Sequence, residues 1–285
     1  MSVKEGATLG FGEKLRAAGK QRGRLCVGID PHPYLLEQWG LSNDIDGLRR
    51  FSQICVEAFA ADAALVKPQV AFYEAYGSRG LAVLEETLAE LREAGCLTVA
   101  DAKRGDIGST MAGYARAWLG ENSPLRADSV TVSPYLGVGA LKPVFDTAAE
   151  TRRGVFVLAA TSNPEAIELQ GHVAKERSVA QYVVDECTKL NAMASPADEA
   201  STGDIGVVVG ATLKNPPVLD ELNGPILLPG VGAQGAGAAD VAEITRACPD
   251  LGFANVSRAV LQAGPNVSDL RKALKSVAQE FRVSP

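Results

Sequence analysis

Three charged residues stand close together in the middle of the chain, directly after a run of apolar residues. The apolar run at residues 97–100 predicts a strand buried on both faces, and Asp101, Lys103 and Asp106 follow it. Because residues two apart on a strand share a face, we expect Asp101 and Lys103 to lie side by side. An ammonium group held between carboxylates can stabilise a carbanion and then deliver a proton to it. A surface loop with solvated charges is the alternative explanation of this motif alone.

Eight short apolar segments alternate with segments of helical periodicity along the chain. The apolar segments lie at residues 25–29, 63–66, 97–101, 129–132, 155–159, 206–209, 225–228 and 252–256. This alternation predicts parallel strands joined by right-handed helical crossovers, and eight repeats in about 250 residues is the size of a (β/α)8 barrel. A doubly wound sheet would carry a G-x-G-x-x-G loop after its first strand, where this chain has Gly28-Ile29-Asp30-Pro31. We therefore predict an α/β fold, a (β/α)8 TIM barrel with a short N-terminal helix at about residues 8–21. Residues 1–285 are expected to form a single domain.

The composition argues against several classes of function. The formal net charge is −6 and the isoelectric point is near 5.2, which argues against nucleic-acid binding. No apolar run approaches the length of a membrane span, and the start of the chain lacks the apolar core of a secretory signal. The five cysteines never stand at C-x-x-C spacing, and the two histidines have no partner at ligand spacing. Neither a metal site nor a serine–histidine triad is therefore expected, and we predict a cytoplasmic protein with reduced thiols.

The barrel brings the charged motif together with charges from two other strands. The carboxyl ends of barrel strands gather around one mouth, where active sites lie. Asp30 and Lys67 end the first two predicted strands, and Asp101 and Lys103 end the third. Four charges of alternating sign are thus expected to meet at one rim, which favours a functional site over a solvated loop.

A glycine-rich segment follows the seventh predicted strand. Gly230, Gly232 and Gly235 allow its backbone amides to approach an anion. Arg258 follows the eighth strand, and its guanidinium can bind a phosphate with two hydrogen bonds. Loops seven and eight are the usual phosphate site of this fold, so we predict that they bind a phosphate together with Gln234. A flexible turn is the alternative explanation of a glycine cluster in isolation.

Two loops are predicted with less specific roles. Ser162 follows the fifth strand, where its hydroxyl either hydrogen-bonds a ligand or forms a turn with Asn163-Pro164. Residues 191–203 are rich in small and polar side chains and are predicted to form a loop.

The segment at residues 101–110, Asp-Ala-Lys-Arg-Gly-Asp-Ile-Gly-Ser-Thr, resembles the D-x-K-x-x-D-I-x-x-T signature of the orotidine 5′-phosphate decarboxylase family. The resemblance covers nearly the whole chain, and it extends to Gly28-Ile29-Asp30, Lys67, residues 229–235 and Arg258. Residues 66–69 and 131–137 are further similar to the longer bacterial subgroup of that family.

The resemblance implies decarboxylation of orotidine 5′-phosphate to UMP, the last step of de novo pyrimidine biosynthesis, with no cofactor. Lys103 would stabilise and protonate the carbon left by CO₂, and Asp101 would lie against the substrate carboxylate. The other implied contacts are with the ribose (Asp30 and Lys67), the pyrimidine edge (Ser162) and the phosphate (Gln234 and Arg258). Asp106 and Thr110 would reach into the site of a second copy, which implies a homodimer with shared active sites.

Two other functions are compatible with the motif. Magnesium-dependent sugar-phosphate lyases of the same superfamily share D-x-K-x-x-D, but they carry a metal-binding glutamate on strand two, where this chain has Lys67. A catalytically silent phosphate-binding barrel would have no reason to keep Asp101, Lys103 and Asp106 together. The metal-free decarboxylase is the favoured prediction.

Overall fold

In the computed structural model, which describes residues 9–194 and 201–282, the predicted strands close into a barrel. The strands are β1 (Leu25–Ile29), β2 (Leu65–Pro68), β3 (Val99–Arg104), β4 (Ser129–Val132), β5 (Gly154–Ala160), β6 (Ile205–Val209), β7 (Ile226–Pro229) and β8 (Gly252–Val256). Neighbouring strands pair in parallel in the order β2-β1-β8-β7-β6-β5-β4-β3. Parallel bridges from Val66 to Thr98 and from Gln69 to Asp101 join β2 to β3. The prediction of a (β/α)8 TIM barrel is confirmed.

Helices between the strands cover the outside of the barrel. They are α1 (Phe11–Arg22), α2 (Pro33–Gln38), α3 (Ile45–Phe59), α4 (Val70–Glu74), α5 (Gly77–Glu93), α6 (Gly108–Leu119), α7 (Lys142–Thr151), α8 (Ala166–Gln170), α9 (Val179–Ala194), α10 (Ala238–Ile244), α11 (Arg258–Leu261) and α12 (Val267–Glu280). A 3₁₀ turn at Val138–Leu141 precedes α7, and a small antiparallel hairpin at residues 173–178 precedes α9. The leading helix of the prediction is α1.

The prediction of a loop over residues 191–203 is wrong at its start, because α9 continues through Ala194. Asn191 does not face solvent, since its amide group is buried and donates to the carbonyl oxygens of Ile205 (2.8 Å) and Leu222 (2.9 Å). These hydrogen bonds hold the end of α9 against the barrel. The polar residue at position 191 is therefore part of a helix and does not indicate a loop. Residues 195–200 lie outside the described residues.

Side chains that point into the barrel change from apolar at its base to polar at its mouth. The apolar base consists of Phe11, Leu15, Cys26, Ala64, Leu65, Val99, Phe156, Val208, Leu227 and Phe253. Helix α1 contributes the first two and closes the base. Because residues two apart on a strand share a face, Leu65 lies one layer below Lys67, and Val99 one layer below Asp101. Burial of the apolar base therefore fixes where both charged groups stand.

The opposite faces of the strands pack against the surrounding helices. On α5, Leu84, Leu88 and Leu91 recur with helical period and are fully buried. The helix ends at Glu93, and Gly95 then turns the chain with a φ of 69°, a left-handed conformation that favours glycine. The turn leads directly into β3, the strand that carries the charged motif.

All five cysteines are free thiols, and four of them are buried. Burial raises the pKa of Cys96 and of Cys187 to about 12, so both remain protonated at neutral pH. Across residues 9–194 and 201–282, no helix combines the length and the apolar character needed to span a membrane.

Candidate active site

A cavity of about 310 Å³ opens at the mouth of the barrel, among the carboxyl ends of the strands. Seven of the predicted site residues line it: Asp30, Lys67, Asp101, Lys103, Gly230, Gln234 and Arg258. The charges predicted for the first three strands and the phosphate-binding groups predicted after the last two therefore face one space. Its volume is in the range of small-molecule sites.

The carboxylate of Asp101 lies at the centre of the charged wall and accepts hydrogen bonds from four donors. Its Oδ2 accepts from Lys67 Nζ at 2.9 Å and from Gln69 Nε2 at 2.8 Å. Its Oδ1 accepts from Lys103 Nζ at 2.6 Å and from Thr131 Oγ1 at 2.9 Å. The four donors match the lone pairs of a carboxylate, so Asp101 is held as an ion in one orientation.

Lys67 and Asp101 keep each other charged although both are buried, with exposed fractions of 3% and 8%. Burial raises the pKa of Asp101, but the ammonium groups of Lys67 and Lys103 outweigh it and hold that pKa far below its ordinary value. Burial lowers the pKa of Lys67, but Asp101 and Asp30 outweigh it and raise that pKa above its ordinary value. The cavity wall thus presents fixed charges at neutral pH.

Asp30 contributes an unsatisfied acceptor to the same wall. Its Oδ1 lies 3.8 Å from Lys67 Nζ, beyond hydrogen-bond distance, and this buried atom has no hydrogen-bond partner among the described residues. Buried polar atoms are rarely left unpaired in proteins. A hydroxyl group of a bound ligand is a fitting donor for this oxygen.

The backbone bends at Lys103, where the pairing of β3 with β4 shifts register between Ala100 and Arg104. Lys103 adopts a φ of 48°, a left-handed conformation that non-glycine residues rarely take. Its backbone N–H donates to Thr131 Oγ1 at 2.9 Å. As the two-residue spacing predicts, the side chains of Lys103 and Asp101 meet, although the strand between them is irregular.

The glycine-rich loop lies on the opposite side of the mouth. Gly230, Gly232 and Gly235 all have left-handed backbone angles, with φ of 102°, 73° and 92°. Ser162 Oγ donates to Gln234 Oε1 at 2.7 Å and so connects the loops after β5 and β7. Among the predicted residues of this region, Gly230, Gln234 and Arg258 line the cavity, whereas Gly232, Gly235 and Ser162 do not.

Asp106 and Thr110 do not line the cavity of their own chain. Asp106 Oδ1 accepts a hydrogen bond from the N–H of Ile107 at 2.7 Å, and Thr110 is exposed on α6. Gly105 packs so closely on the loop after β4 that a Cβ there would lie 2.5 Å from the carbonyl oxygen of Ser133. The chain therefore turns away from the cavity directly after Lys103.

Sequence reasoning did not predict several residues of the site. Gln69 and Thr131 bind Asp101, and His32, Asn255 and Ser257 also line the cavity. The signal for Thr131 is a polar residue at an inward position of β4, two residues after Ser129, and the signal for Gln69 is its place two residues after Lys67. The imidazole of His32 packs edge-on against the ring of Phe72, with 4.3 Å between the ring centroids. Burial lowers the pKa of His32.

The fold and the buried charges at the carboxyl ends of its strands define a class of protein, the (β/α)8-barrel enzymes. The model of the orotidine 5′-phosphate decarboxylase / HUMPS family matches residues 23–273, and the chain belongs to this family.

Named relatives match over nearly their full length. An orotidine 5′-phosphate decarboxylase of Corynebacterium efficiens is 62% identical over 272 residues, which are 95% of this chain and 96% of the relative. One of Corynebacterium glutamicum strain R is 58% identical, with 95% and 97% of the two chains covered. The crystal structure of a Streptomyces avermitilis chain assigned as the same enzyme superposes with a TM-score of 0.91 at 50% identity, covering 99% of this chain and 98% of that one.

Proposed function

We propose that this protein is a cytoplasmic enzyme that decarboxylates orotidine 5′-phosphate to UMP, the last step of de novo pyrimidine biosynthesis, without a cofactor. Residues 1–285 act as one (β/α)8 domain in this proposal. The observation that carries it is the ammonium of Lys103, 2.6 Å from Asp101 Oδ1, in a cavity whose far wall holds Gln234 and Arg258. A charged centre and an anion-binding wall are what a phosphorylated, carboxylated substrate requires.

Lys103 carries the chemical step. The substrate carboxylate is attached to C6 of the pyrimidine ring. Departure of CO₂ breaks the bond between C6 and the carboxylate carbon and leaves the electron pair on C6. The Lys103 ammonium opposes this negative charge as it develops, so its effect is greatest in the transition state. It then transfers a proton to C6, which gives UMP, and the neutral amine regains a proton from solvent.

Asp101 lies against the substrate carboxylate. Lys67 keeps Asp101 ionised, so two negative groups are brought together in the bound state, and their repulsion is relieved as CO₂ leaves. Asp101 also accepts a hydrogen bond from Lys103 Nζ and so aims the proton donor. One carboxylate thereby serves both the departure of CO₂ and the protonation that follows.

The remaining predicted residues bind the parts of the nucleotide away from C6. Asp30, through its unpaired Oδ1, and Lys67 bind the ribose hydroxyls. Ser162, which follows the cavity-lining Thr161 and donates to Gln234, binds the pyrimidine edge from beside the cavity. Gln234 and Arg258 bind the phosphate together with the amides of the loop. That loop contains Gly230, Gly232 and Gly235. Binding energy from the phosphate then supports the chemistry at C6.

Asp106 and Thr110 act in the site of a second copy, so that the working enzyme is a homodimer with shared active sites. Large apolar side chains are exposed beside the mouth: Ile107 (61% exposed), Tyr135 (77%) and Leu136 (53%). The loops that carry them are adjacent, because Gly105 packs on the backbone of Ser133. Exposed apolar surface of this kind is typical of protein interfaces.

Lys67 argues against a magnesium-dependent lyase. Its ammonium already neutralises Asp101 at 2.9 Å, and it would repel a divalent cation at that carboxylate. A silent phosphate-binding barrel has no use for these charges, since burying them carries a desolvation penalty. The decarboxylase is the function that makes use of each of them.

The test is an absorbance assay of purified protein with orotidine 5′-phosphate, with and without EDTA. We expect UMP to form at the same rate in both. We also expect Lys103→Ala to reduce kcat by more than about 10³-fold with an unchanged circular dichroism spectrum, because the loss falls on the transition state. Folded wild-type protein that leaves the nucleotide intact would contradict the proposal, and UMP formation that is lost in EDTA would contradict the cofactor-free mechanism.

A further inference from the structure

The hydroxyl of Thr131 is a buried group that the proposed reaction does not use directly. Thr131 stands at an inward position of β4 with an exposed fraction of 1%. Its Oγ1 is 2.9 Å from Asp101 Oδ1 and 2.9 Å from the backbone nitrogen of Lys103. One small side chain therefore touches both residues of the charged motif that reach the cavity.

The direction of both hydrogen bonds follows from the groups involved. The backbone N–H of Lys103 has a proton to give, so Thr131 Oγ1 accepts there. The ionised carboxylate of Asp101 is an acceptor only, so the hydroxyl proton of Thr131 points to Oδ1. Since the ammonium of Lys103 donates to the same Oδ1, the hydroxyl closes a ring that begins and ends on Lys103.

The backbone of Lys103 needs this support. The register shift in β3 leaves Lys103 in a left-handed conformation with a φ of 48°. Such a conformation persists in a non-glycine residue when its surroundings hold it. The hydrogen bond from its N–H to Thr131 is a side-chain substitute for a ladder bond to β4.

We propose that Thr131 is a positioning residue for Lys103, fixing both the backbone bend from which its side chain departs and the carboxylate that orients its ammonium. Thr131 acts through Lys103 and Asp101. This inference rests on the proposed decarboxylation, in which these two residues lie against C6 of the substrate. Its effect therefore falls on the chemical step and leaves nucleotide binding unchanged.

Thr131→Val tests this role, because valine has the shape of threonine and lacks the hydroxyl. We expect kcat to fall on the order of 10- to 100-fold, since a displaced ammonium loses its alignment with C6. KM and the Kd of UMP should each change less than about threefold, because the groups that bind phosphate and ribose are untouched. Thr131→Ser keeps the hydroxyl and should restore kcat to within about threefold of wild type.

Thr245→Val is the matched control. Thr245 is also fully buried, and it directly follows α10, where its Oγ1 donates to the carbonyl oxygen of Val241 at 2.8 Å. The two variants lose a buried hydroxyl of the same kind, so loss of stability alone would affect both. The control should keep wild-type kcat.

A second pair of variants keeps the test decisive if Thr131→Val does not fold. Thr131→Ala and Thr131→Ser both lack the methyl group, and the alanine variant alone lacks the hydroxyl. A kcat of Thr131→Ser at least about tenfold above that of Thr131→Ala supports the role. Equal values, or a Thr131→Val enzyme with wild-type kcat, overturn it. If Lys103→Ala is also fully active, the proposed decarboxylation mechanism is what has failed.

Discussion

At the scale of single residues, the site is built around a carboxylate that cannot take up a proton at physiological pH. Asp101 is ionised because Lys67 and Lys103 lie at 2.9 and 2.6 Å from its two oxygens. Lys67 is charged for the reciprocal reason, since Asp101 and Asp30 flank it. A buried pair of this kind contributes little net stability, but removal of one partner leaves an uncompensated charge. Stability and chemistry are therefore linked at this position.

Lys67→Met, which retains an unbranched apolar chain and removes the charge, should lower the free energy of unfolding by about 3–5 kcal/mol at pH 7. The pKa of Asp101 is lower in the folded protein, so its contribution is present above its unfolded pKa of about 4 and is lost as pH falls through its folded pKa. The pKa of Lys67 is higher in the folded protein, so its contribution is present below about pH 10.4 and is lost as pH rises through its folded pKa.

This prediction is tested by measuring the free energy of unfolding of both proteins in urea at pH values between 3 and 10. The difference between wild type and Lys67→Met should be constant from about pH 5 to 9 and shrink at more acidic pH. Lys142→Met is the control, because Lys142 pairs with Asp146 on an exposed helix surface and its loss should amount to less than about 0.5 kcal/mol. Equal losses in the two variants at pH 7 would show that Lys67 and Asp101 are not energetically coupled.

At the scale of elements, the sequence predicted the existence and order of the eight strands, and it was less accurate about where they end. Strand two was predicted at residues 63–66, ending in Lys67-Pro68, whereas β2 begins only at Leu65 and includes Lys67 and Pro68, which both pair with β1. A charge and a proline are typical strand terminators, but here the barrel mouth accepts the charge, and proline at the last strand position gives up only one N–H.

The site residues that the sequence did not predict contact residues that are distant from them in the chain. Gln69 and Thr131 bind Asp101 from 32 and 30 residues away. Their hydrogen bonds depend on the closure of β2 onto β3 and on the register of β3 with β4. Periodicity identifies which face of a strand is inward, but it does not give the register between strands.

The loop after β7 depends on glycine at the position where it meets the cavity. A Cβ on Gly230 would lie 3.0 Å from Gln234 Oε1, the atom that accepts from Ser162. Gly230→Ala should therefore move Gln234, break its contact with Ser162 and raise KM for the nucleotide on the order of tenfold. The left-handed backbone should also reduce stability by about 1 kcal/mol.

Gly95→Ala is the control that separates the effect on KM, measured by steady-state kinetics, from the effect on stability, measured by urea unfolding. Gly95 also has a positive φ (69°), a Cβ there would have nothing within 4 Å, and the residue precedes β3 at the base of the barrel. We expect a similar loss of stability with an unchanged KM. If both variants keep wild-type KM, the contact between Gln234 and Ser162 does not contribute to substrate binding.

At the scale of the whole molecule, the cavity at the barrel mouth includes Asp101 and Lys103, but Asp106 of the charged motif lies outside it. Lys103 faces the cavity, whereas Asp106 and Thr110 follow a turn that leads to the exposed surface of α6. A twofold axis beside this surface would bring the motif of each copy to the mouth of the other. Each site would then take Lys103 from one chain and Asp106 from its partner chain.

Shared sites make a quantitative prediction for mixed dimers. Lys103→Ala and Asp106→Ala homodimers should both be inactive, because each of their sites carries one lesion. In a mixed dimer one site collects both lesions, and the other collects none. Random pairing of equimolar subunits makes about half of the dimers mixed, so about one quarter of all sites should be native. Activity should accordingly rise from near zero towards a quarter of the wild-type value as subunits exchange.

Lys103→Ala mixed with Asp101→Asn is the matched control, because both residues belong to the site of their own chain. Every site in that mixture keeps a lesion, so activity should not recover, although the subunits exchange in the same way. Differential affinity tags measure the fraction of mixed dimers in both mixtures independently of activity. Recovery with Asp106→Ala and none with Asp101→Asn requires that Asp106 act across the interface. Mixed Lys103→Ala and Asp106→Ala dimers that form and stay inactive would mean that Asp106 serves its own chain, and the shared-site arrangement would be wrong.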